Sequence, residues 1–330
     1  MKPPRLLRLA LSVALVLGFA AGTALSQTSD FPNRPIRMLV GFGAGGGTDI
    51  VARIVAQKMT ESLGQSVAVE NRTGASGLIA AEDVAKSPPD GYMLMMGSQT
   101  VFAVAPMLYH KAATLDPVKE FAGVALTGAS PLILVANPSF AGHSLADVIA
   151  MAKANPGKIN FGTGGVGTTP HMTAELFEHD AGVKMVHVAY RGEAPAINDT
   201  IAGQIPLMFA NLSAVMGNVK AGTLRALAVT SAQRSPSAPD IPTVAETALP
   251  GFDAETWFGI VAPAGTPQAI RDKLNAAARK ALASDDIKQR YLDLGMVTRT
   301  SSPAEFDAHI KAEVAKWSGV IKDANVQALD

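Results

Sequence analysis

The glycine-rich run that decides the fold prediction lies at residues 40–49 and reads VGFGAGGGTD. It follows an apolar segment at residues 36–40, and it precedes residues 48–63, whose apolar side chains recur at helical spacing. A second run, GTGGVGTTPH at residues 162–171, again stands between a predicted strand (158–161) and a predicted helix. The chain therefore carries the unit of strand, tight turn and helix start twice.

Both runs have the chemistry of an anion-binding site. Glycine allows positive φ and lets a ligand approach the backbone N–H groups closely. The helix that follows adds N–H groups without an intrahelical partner and the positive end of its dipole. Two such sites about 120 residues apart predict two similar lobes that each contribute one anion site to a shared cleft. Two tight packing turns without a ligand are the alternative.

Predicted strands and helices alternate along the rest of the chain, which favours an α/β fold with mainly parallel sheets and helices on both faces. The length suits two such sheets. The other predicted strands are 66–69, 92–96, 132–136, 184–189, 205–209 and 224–229. The other predicted helices are 79–85 and 145–154, further helices starting near Thr169, Pro195 and Ser213, and helices with Pro267 and Pro303 at their first position.

The N-terminus has the features of a secretory signal peptide. A basic start is followed by an uncharged apolar run, residues 9–24, and by the small residues Ala24 and Ser26. The apolar run is shorter than the roughly 20 residues needed to span a bilayer. We therefore expect residues 1–26 to be removed and the mature protein to lie free in the periplasm.

Composition limits the classes of partner and cofactor. Lys2, Arg5 and Arg8 leave with the signal peptide, so 25 of the 28 basic residues remain against 28 acidic residues. This balance offers no electrostatic footprint for nucleic acid or for an anionic membrane. The chain has no cysteine, which excludes disulfides and leaves any metal site to histidines and carboxylates.

A dinucleotide-binding oxidoreductase is the sharpest alternative from motifs alone. The pattern G-x-G-x-x-G occurs twice, at Gly41, Gly43 and Gly46 and at Gly162, Gly164 and Gly167. Glu70 ends the next predicted strand and could bind the ribose of NAD or NADP. A signal peptide and a second copy of the pattern favour two anion-binding lobes instead.

Other enzymatic interpretations have weaker support. His171 and Glu175 are four residues apart, and His179 and His187 are near in sequence, but no established metal-ligand spacing is matched. No G-x-S-x-G nucleophile motif occurs. We therefore expect a protein that is not an enzyme and has no metal and no cofactor.

Seven stretches together resemble one known family. They read VGFGAGGGTDIVAR (40–53), NRTGASG (71–77), PPDGY (88–92), GVGTTPH (165–171), HVAYRG (187–192), LRALAVT (224–230) and WFGIVAPAGTP (257–267). With these stretches the chain resembles the extracytoplasmic receptors of tripartite tricarboxylate transporters, the Bug family. The resemblance covers essentially the whole chain beyond the signal peptide. Gly41 and Gly43 depart from it, because the family often has proline there.

The resemblance implies a Venus-flytrap fold of the type II-like periplasmic binding proteins, with two α/β lobes that each contain a mainly parallel sheet flanked by helices. Residues 27–125 and 226–330 would form lobe 1, and residues 126–225 would form lobe 2. It also implies a monomer that binds a small organic carboxylate and passes it to integral-membrane transporter subunits. A ligand sensor for a signalling receptor, built on the same fold, remains an alternative.

The resemblance also implies where the ligand binds. Lobe 1 would contribute residues of its glycine run and hydroxyls after its third strand: Phe42, Ala44, Gly45, Gly46, Ser98 and Thr100. Lobe 2 would contribute Gly165, Thr168, Thr169, Tyr190, Arg191 and Gly192. All follow the carboxyl ends of predicted strands, where open α/β sheets bind ligands. Thr48 is predicted to cap its helix, and Asp49 to pair with Arg53 one turn later.

Overall fold

The computed structural model describes residues 31–109 and 115–323, so the predicted signal peptide lies outside the described residues. In lobe 1, strand β1 (Ile36–Val40) lies between β2 (Val67–Asn71) and β3 (Met93–Ser98) and runs parallel to both. Four of the five residues of β1 are buried, because helices cover both faces of this sheet.

In lobe 2, strand β5 (Asn160–Thr163) runs parallel to β6 (Val186–Ala189) and to β7 (Leu207–Asn211). The parallel order therefore repeats around each glycine-rich run. Helices lie between the parallel strands in sequence, as crossover connections require.

The two lobes are joined by strand β4 (Phe121–Ala136), which is long enough to serve both sheets. Its first part pairs antiparallel with β9 (Glu255–Pro263) and with the short β10 (Val297–Thr298) in lobe 1. Its second part pairs antiparallel with β7 and with β8 (Arg225–Val229) in lobe 2. The predicted two-lobed α/β fold is confirmed. The sheets are mixed rather than mainly parallel, because β9 in lobe 1 and β4 in lobe 2 run opposite to the parallel strands beside them.

Twelve α-helices lie in the described residues. They are α1 Gly47–Leu63, α2 Leu78–Ala85, α3 Ala105–Leu108, α4 Pro117–Glu120, α5 Leu145–Ala154, α6 Thr169–Ala181, α7 Glu193–Ile201, α8 Leu212–Lys220, α9 Val244–Thr247, α10 Gln268–Ala283, α11 Asp285–Asp293 and α12 Pro303–Asp323. A 3₁₀ turn spans Ala75–Gly77, and a π-helical turn spans Thr100–Val104.

Each lobe has apolar cores on both faces of its sheet. In lobe 1, Met38 and Leu274 belong to one core, and Leu39 and Phe306 to the opposite one. Met38 and Leu39 are consecutive strand residues, so their side chains point to opposite faces. The C-terminal helix α12 therefore completes lobe 1, although it is far from β1 in sequence.

Residues after 225 still pack against lobe 2 before the chain returns to lobe 1. Strand β8 pairs with the second part of β4, and Val244, Phe252 and Ala254 pack in the core that contains Leu132. Because these contacts hold residues 225–254 against lobe 2, we propose that lobe 2 ends near residue 254. The predicted boundary at residue 226 would separate β8 from its pairing partner.

Candidate functional site

The lobe-1 glycine loop connects β1 to α1 and is held by Asp49. The carboxylate of Asp49 accepts hydrogen bonds from Gly45 N (2.9 Å) and Asn71 Nδ2 (2.8 Å), and it pairs with Arg53 at 2.9 Å. Burial alone would raise the pKa of Asp49, but these donors lower it below its ordinary value. The predicted ion pair is confirmed. Asp49 faces the loop backbone from behind, so it shapes the loop.

The start of α1 differs from the prediction. Gly46 is the N-cap and makes no side-chain cap, whereas Thr48 lies inside the helix and is buried. The prediction that Thr48 caps the helix is wrong, because the glycine run enters the helix two residues earlier. The first N–H groups of α1 therefore receive no cap from the N-cap residue itself.

The lobe-2 glycine loop connects β5 to α6 and is tied by hydroxyl groups. Thr163 Oγ1 donates to Gly165 O (3.1 Å), and Thr168 Oγ1 donates to the same carbonyl (2.8 Å). Thr168 is the N-cap of α6 and accepts from His171 N. Gly165 has a φ of 140° and Gly167 a φ of 70°, conformations that side chains disfavour.

A pair of stacked histidines supports this loop from behind. The rings of His171 and His187 are 4.0 Å apart between centroids. His171 Nδ1 accepts from Gly167 N (3.1 Å), and His187 Nε2 lies 2.6 Å from Thr163 Oγ1. Burial, aided by the neighbouring His171, lowers the pKa of His187 to about 3. His187 is therefore neutral and serves to position the loop.

The two lobes meet across the cleft. Thr100 Oγ1 lies 2.9 Å from Thr169 Oγ1 and accepts from Thr169 N (2.8 Å). Ser76 donates to the carbonyl of Val166. Because each contact joins a lobe-1 residue to a lobe-2 residue, the structure shows the lobes closed on each other.

The closed cleft contains an inner cavity and an outer one at its mouth. The inner cavity is lined by Phe42, Gly46, Gly47, Thr48, Ser98, Thr100, Gly164, Thr168, Pro170, Glu193 and Asn211. Its space for the centres of water molecules is about 20 Å³, about enough for one water. The mouth cavity measures about 380 Å³, within the usual range for small-ligand sites.

Most predicted site residues line one of these two cavities. Five line the inner cavity, namely Phe42, Gly46, Ser98, Thr100 and Thr168. Phe42 also lines the mouth, together with Gly165, Tyr190, Arg191 and Gly192. Thr169 lies at the contact with Thr100. Ala44 and Gly45 are exposed and belong to neither lining.

Two predicted residues at the mouth have different surroundings. Tyr190 OH donates to Asp199 Oδ2 (2.7 Å), and burial together with this carboxylate raises the pKa of the phenol to about 12. The phenol oxygen is therefore hydrogen-bonded within lobe 2, and the backbone and ring of Tyr190 remain available to line the mouth cavity. Arg191 is exposed, and it brings a positive charge to the lining of the mouth.

Several lining residues were missed by sequence reasoning, chiefly Glu193, Asn211, Ser76 and Tyr109. Glu193 begins α7, where an acidic residue is ordinary on dipole grounds, so its sequence position gave no sign of complete burial. The position of Glu193 directly after Gly192, beyond the end of a strand that faces the cleft, is the sequence feature that could have identified it as a lining residue.

The family assignment agrees with this geometry. The family model described as tripartite tricarboxylate transporter family receptor matches residues 51–326. This chain belongs to that receptor family. The match covers most of both lobes, including most of α1, the lobe-2 glycine loop and α12.

Solved structures of similar proteins reinforce the assignment. Rpa4515 from R. palustris, solved with adipate, is 36% identical with a TM-score of 0.88, over 91% of this receptor and 100% of that chain. The periplasmic binding protein BugD is 34% identical with a TM-score of 0.86, over 90% and 99%. MatC from Rhodopseudomonas palustris, solved with malate, is 31% identical with a TM-score of 0.83, over 88% and 100%.

Members of this family are periplasmic receptors, and the similar protein BugD is described as a periplasmic binding protein. In residues 31–109 and 115–323 of this receptor, no helix has the length and apolar character needed to cross a membrane. Over the same residues, no three potential metal ligands lie close enough together to hold an ion.

Proposed function

We propose that this receptor binds a small organic carboxylate in the cleft between its lobes, outside the cytoplasm, and delivers it as a monomer to integral-membrane subunits of a tripartite tricarboxylate-type transporter. The observation that carries this proposal is the meeting of two strand–glycine loop–helix units from different lobes at one cavity. Residues of both units line that cavity, among them Gly46 and Gly47 from lobe 1 and Gly164 and Thr168 from lobe 2. The adipate in Rpa4515 and the malate in MatC support a carboxylate ligand here.

The lining of the two cavities offers hydrogen-bond donors and a positive charge for a small acid. Ser98 is buried and follows β3, and no described residue bonds its hydroxyl. Thr100 adds a second hydroxyl from lobe 1, and Arg191 of lobe 2 lines the mouth and carries a positive charge. A ligand that satisfies donors of both lobes favours the closed state, since it gains these bonds only when the lobes meet.

The surroundings of Glu70 argue against the alternative of a dinucleotide-binding oxidoreductase. Glu70, the candidate ribose ligand of a dinucleotide site, accepts two hydrogen bonds from Arg37, at 2.7 and 2.6 Å. This ion pair engages both carboxylate oxygens on the outer part of the sheet. A nicotinamide cofactor would lack its usual acidic partner.

We expect adipate, malate or a related small acid to raise the melting temperature of the purified receptor, and NAD and NADP to leave it unchanged. A ligand that binds only the folded state stabilises it by mass action, by about 2.7 kcal/mol at 100 times its Kd. Thermal-shift screening measures this. Stabilisation by a dinucleotide, with no response to any organic acid, would contradict the proposal.

Replacement of Ser98 by alanine is expected to weaken binding of the best acid by about 2- to 12-fold, the equivalent of one neutral hydrogen bond to the ligand. The unliganded melting temperature should change little, because no protein group loses a bond. Ser87→Ala, at the end of α2 and away from the cleft, is the control. Isothermal titration calorimetry checks both variants. Equal affinity of Ser98→Ala and wild type would place the ligand outside the inner cavity.

A further inference from the structure

The inner cavity contains a carboxylate of the protein itself. Glu193 begins α7 in lobe 2, is 8% exposed, and reaches across to the start of α1 in lobe 1. Its Oε2 accepts from Gly47 N (2.9 Å), while its Oε1 accepts from Asn211 N (2.7 Å) and Asn211 Nδ2 (3.0 Å). Glu193 therefore occupies the helix N-terminus that the glycine run would otherwise offer to a ligand anion.

All three hydrogen-bond partners of Glu193 are N–H donors, which is the arrangement that an ionised carboxylate requires. Burial raises the pKa of Glu193 above its ordinary value, and the N–H groups of Asn211 and Gly47 oppose this change without cancelling it. The positive end of the α1 dipole adds to these donors. No lysine, arginine or histidine is among the residues that line the inner cavity. A second carboxylate brought into this space would meet like charge without a cation to balance it.

The neighbouring polar atoms are also short of donors. Asn211 Oδ1 and Ser213 Oγ are buried and have no hydrogen-bond partner among the described residues. Asn211 lines the cavity, and its amide nitrogen is already committed to Glu193. A carboxylate oxygen accepts about two hydrogen bonds, so Glu193 Oε2 can accept one more. A buried acceptor without a partner costs free energy, so this end of the cavity is suited to an O–H or N–H donor.

We propose that Glu193 determines specificity: it holds the α1 N-terminus itself, so the receptor selects an acid whose inward end carries a hydroxyl or ammonium donor and disfavours an acid with carboxylates at both ends. The ligand's carboxylate then binds towards the mouth, at the lobe-2 loop and Arg191. This inference rests on the proposed function and narrows its ligand class.

The test compares acids that differ only at one end. Adipate, 6-hydroxyhexanoate, 6-aminohexanoate and hexanoate form one set; succinate, 4-hydroxybutanoate, 4-aminobutanoate and butanoate form a shorter set. Affinities are measured by calorimetry for wild type, for Glu193→Ala and for Glu193→Gln. Glu82→Gln, which removes an exposed carboxylate on α2, is the matched control.

In wild type, the best hydroxy or amino acid should bind about 10-fold or more tightly than the dicarboxylate of equal length, since close like charges cost several kcal/mol. Glu193→Ala frees the amides of Gly47 and Asn211 and should reverse this order, and Glu82→Gln should keep it. Comparison of the hydroxy acids with the amino acids shows whether the site prefers a hydroxyl or an ammonium donor.

Equal or tighter binding of the dicarboxylate by wild type overturns the inference and leaves the proposed function intact, and this comparison needs no variant. An unchanged order in both folded Glu193 variants overturns it too. Failure of every acid to bind wild type overturns the proposed function as well.

Discussion

Replacement of Gly192 by alanine is expected to weaken binding of the preferred acid by about 5- to 150-fold, the equivalent of roughly 1–3 kcal/mol of backbone strain. Gly192 has a φ of 119°, and its N–H donates to Gly164 O (3.0 Å) in the lobe-2 loop. A Cβ atom here would lie 3.4 Å from Gly43 N in the lobe-1 loop. The unliganded variant can relax this segment, but ligand binding has to restore it. Calorimetry measures the loss.

Gly182→Ala is the matched control for this effect. Gly182 also has positive φ (61°), but it ends α6, and a Cβ atom added there would meet no atom of the described residues within 4 Å. This control should lose stability and keep the affinity of wild type. If Gly192→Ala and Gly182→Ala bind the acid equally well, the segment at residues 190–192 is not part of the site.

Replacement of Phe306 by alanine is expected to lower the free energy of unfolding by about 3–5 kcal/mol, as deletion of a buried aromatic ring does. Phe306 is fully buried on α12 and packs edge-on against Trp257 at 5.7 Å. Its ring fills the space over Gly259, where a Cβ atom would come within 2.1 Å of it. The ring thus ties the C-terminal helix to β9, whose pairing with β3 and β4 builds lobe 1. Urea denaturation measures the change.

Lys311→Ala, at an exposed position of the same helix, is the control and should change the free energy of unfolding little. At temperatures where Phe306→Ala is folded, its ligand affinity should match wild type, because the ring lines neither cavity of the cleft. A loss below about 1 kcal/mol for Phe306→Ala would mean that α12 is not part of the lobe-1 core.

The local parts of the fold and site could be predicted from the sequence. The strand Ile36–Val40 has its predicted bounds, because a short apolar run that ends in glycines leaves little choice. The pair of Asp49 and Arg53 follows from helix geometry alone. Ser98 and Thr168, both predicted site residues, line the inner cavity, because the ends of parallel strands come together at one edge of a sheet.

Long-range features could not be predicted in the same way. Only residues 132–136 of β4 were recognised as a strand, because Gly123 and Gly128 interrupt the apolar pattern before them. Those glycines are required by neighbours distant in sequence: a Cβ atom at Gly128 would lie 2.7 Å from the Tyr291 ring. Glu193 was missed for a related reason, since its partner Gly47 is 146 residues away.

The crystallographic position of the acid that most stabilises this receptor tests the central claim most directly. The account predicts electron density for that acid between the lobe-1 loop at residues 41–47 and the lobe-2 loop at residues 163–169. Its carboxylate should lie within hydrogen-bonding distance of donors from the glycine loops, Ser98 or Arg191. An acid bound outside this cleft, or one that contacts a single lobe in the closed protein, would contradict the account.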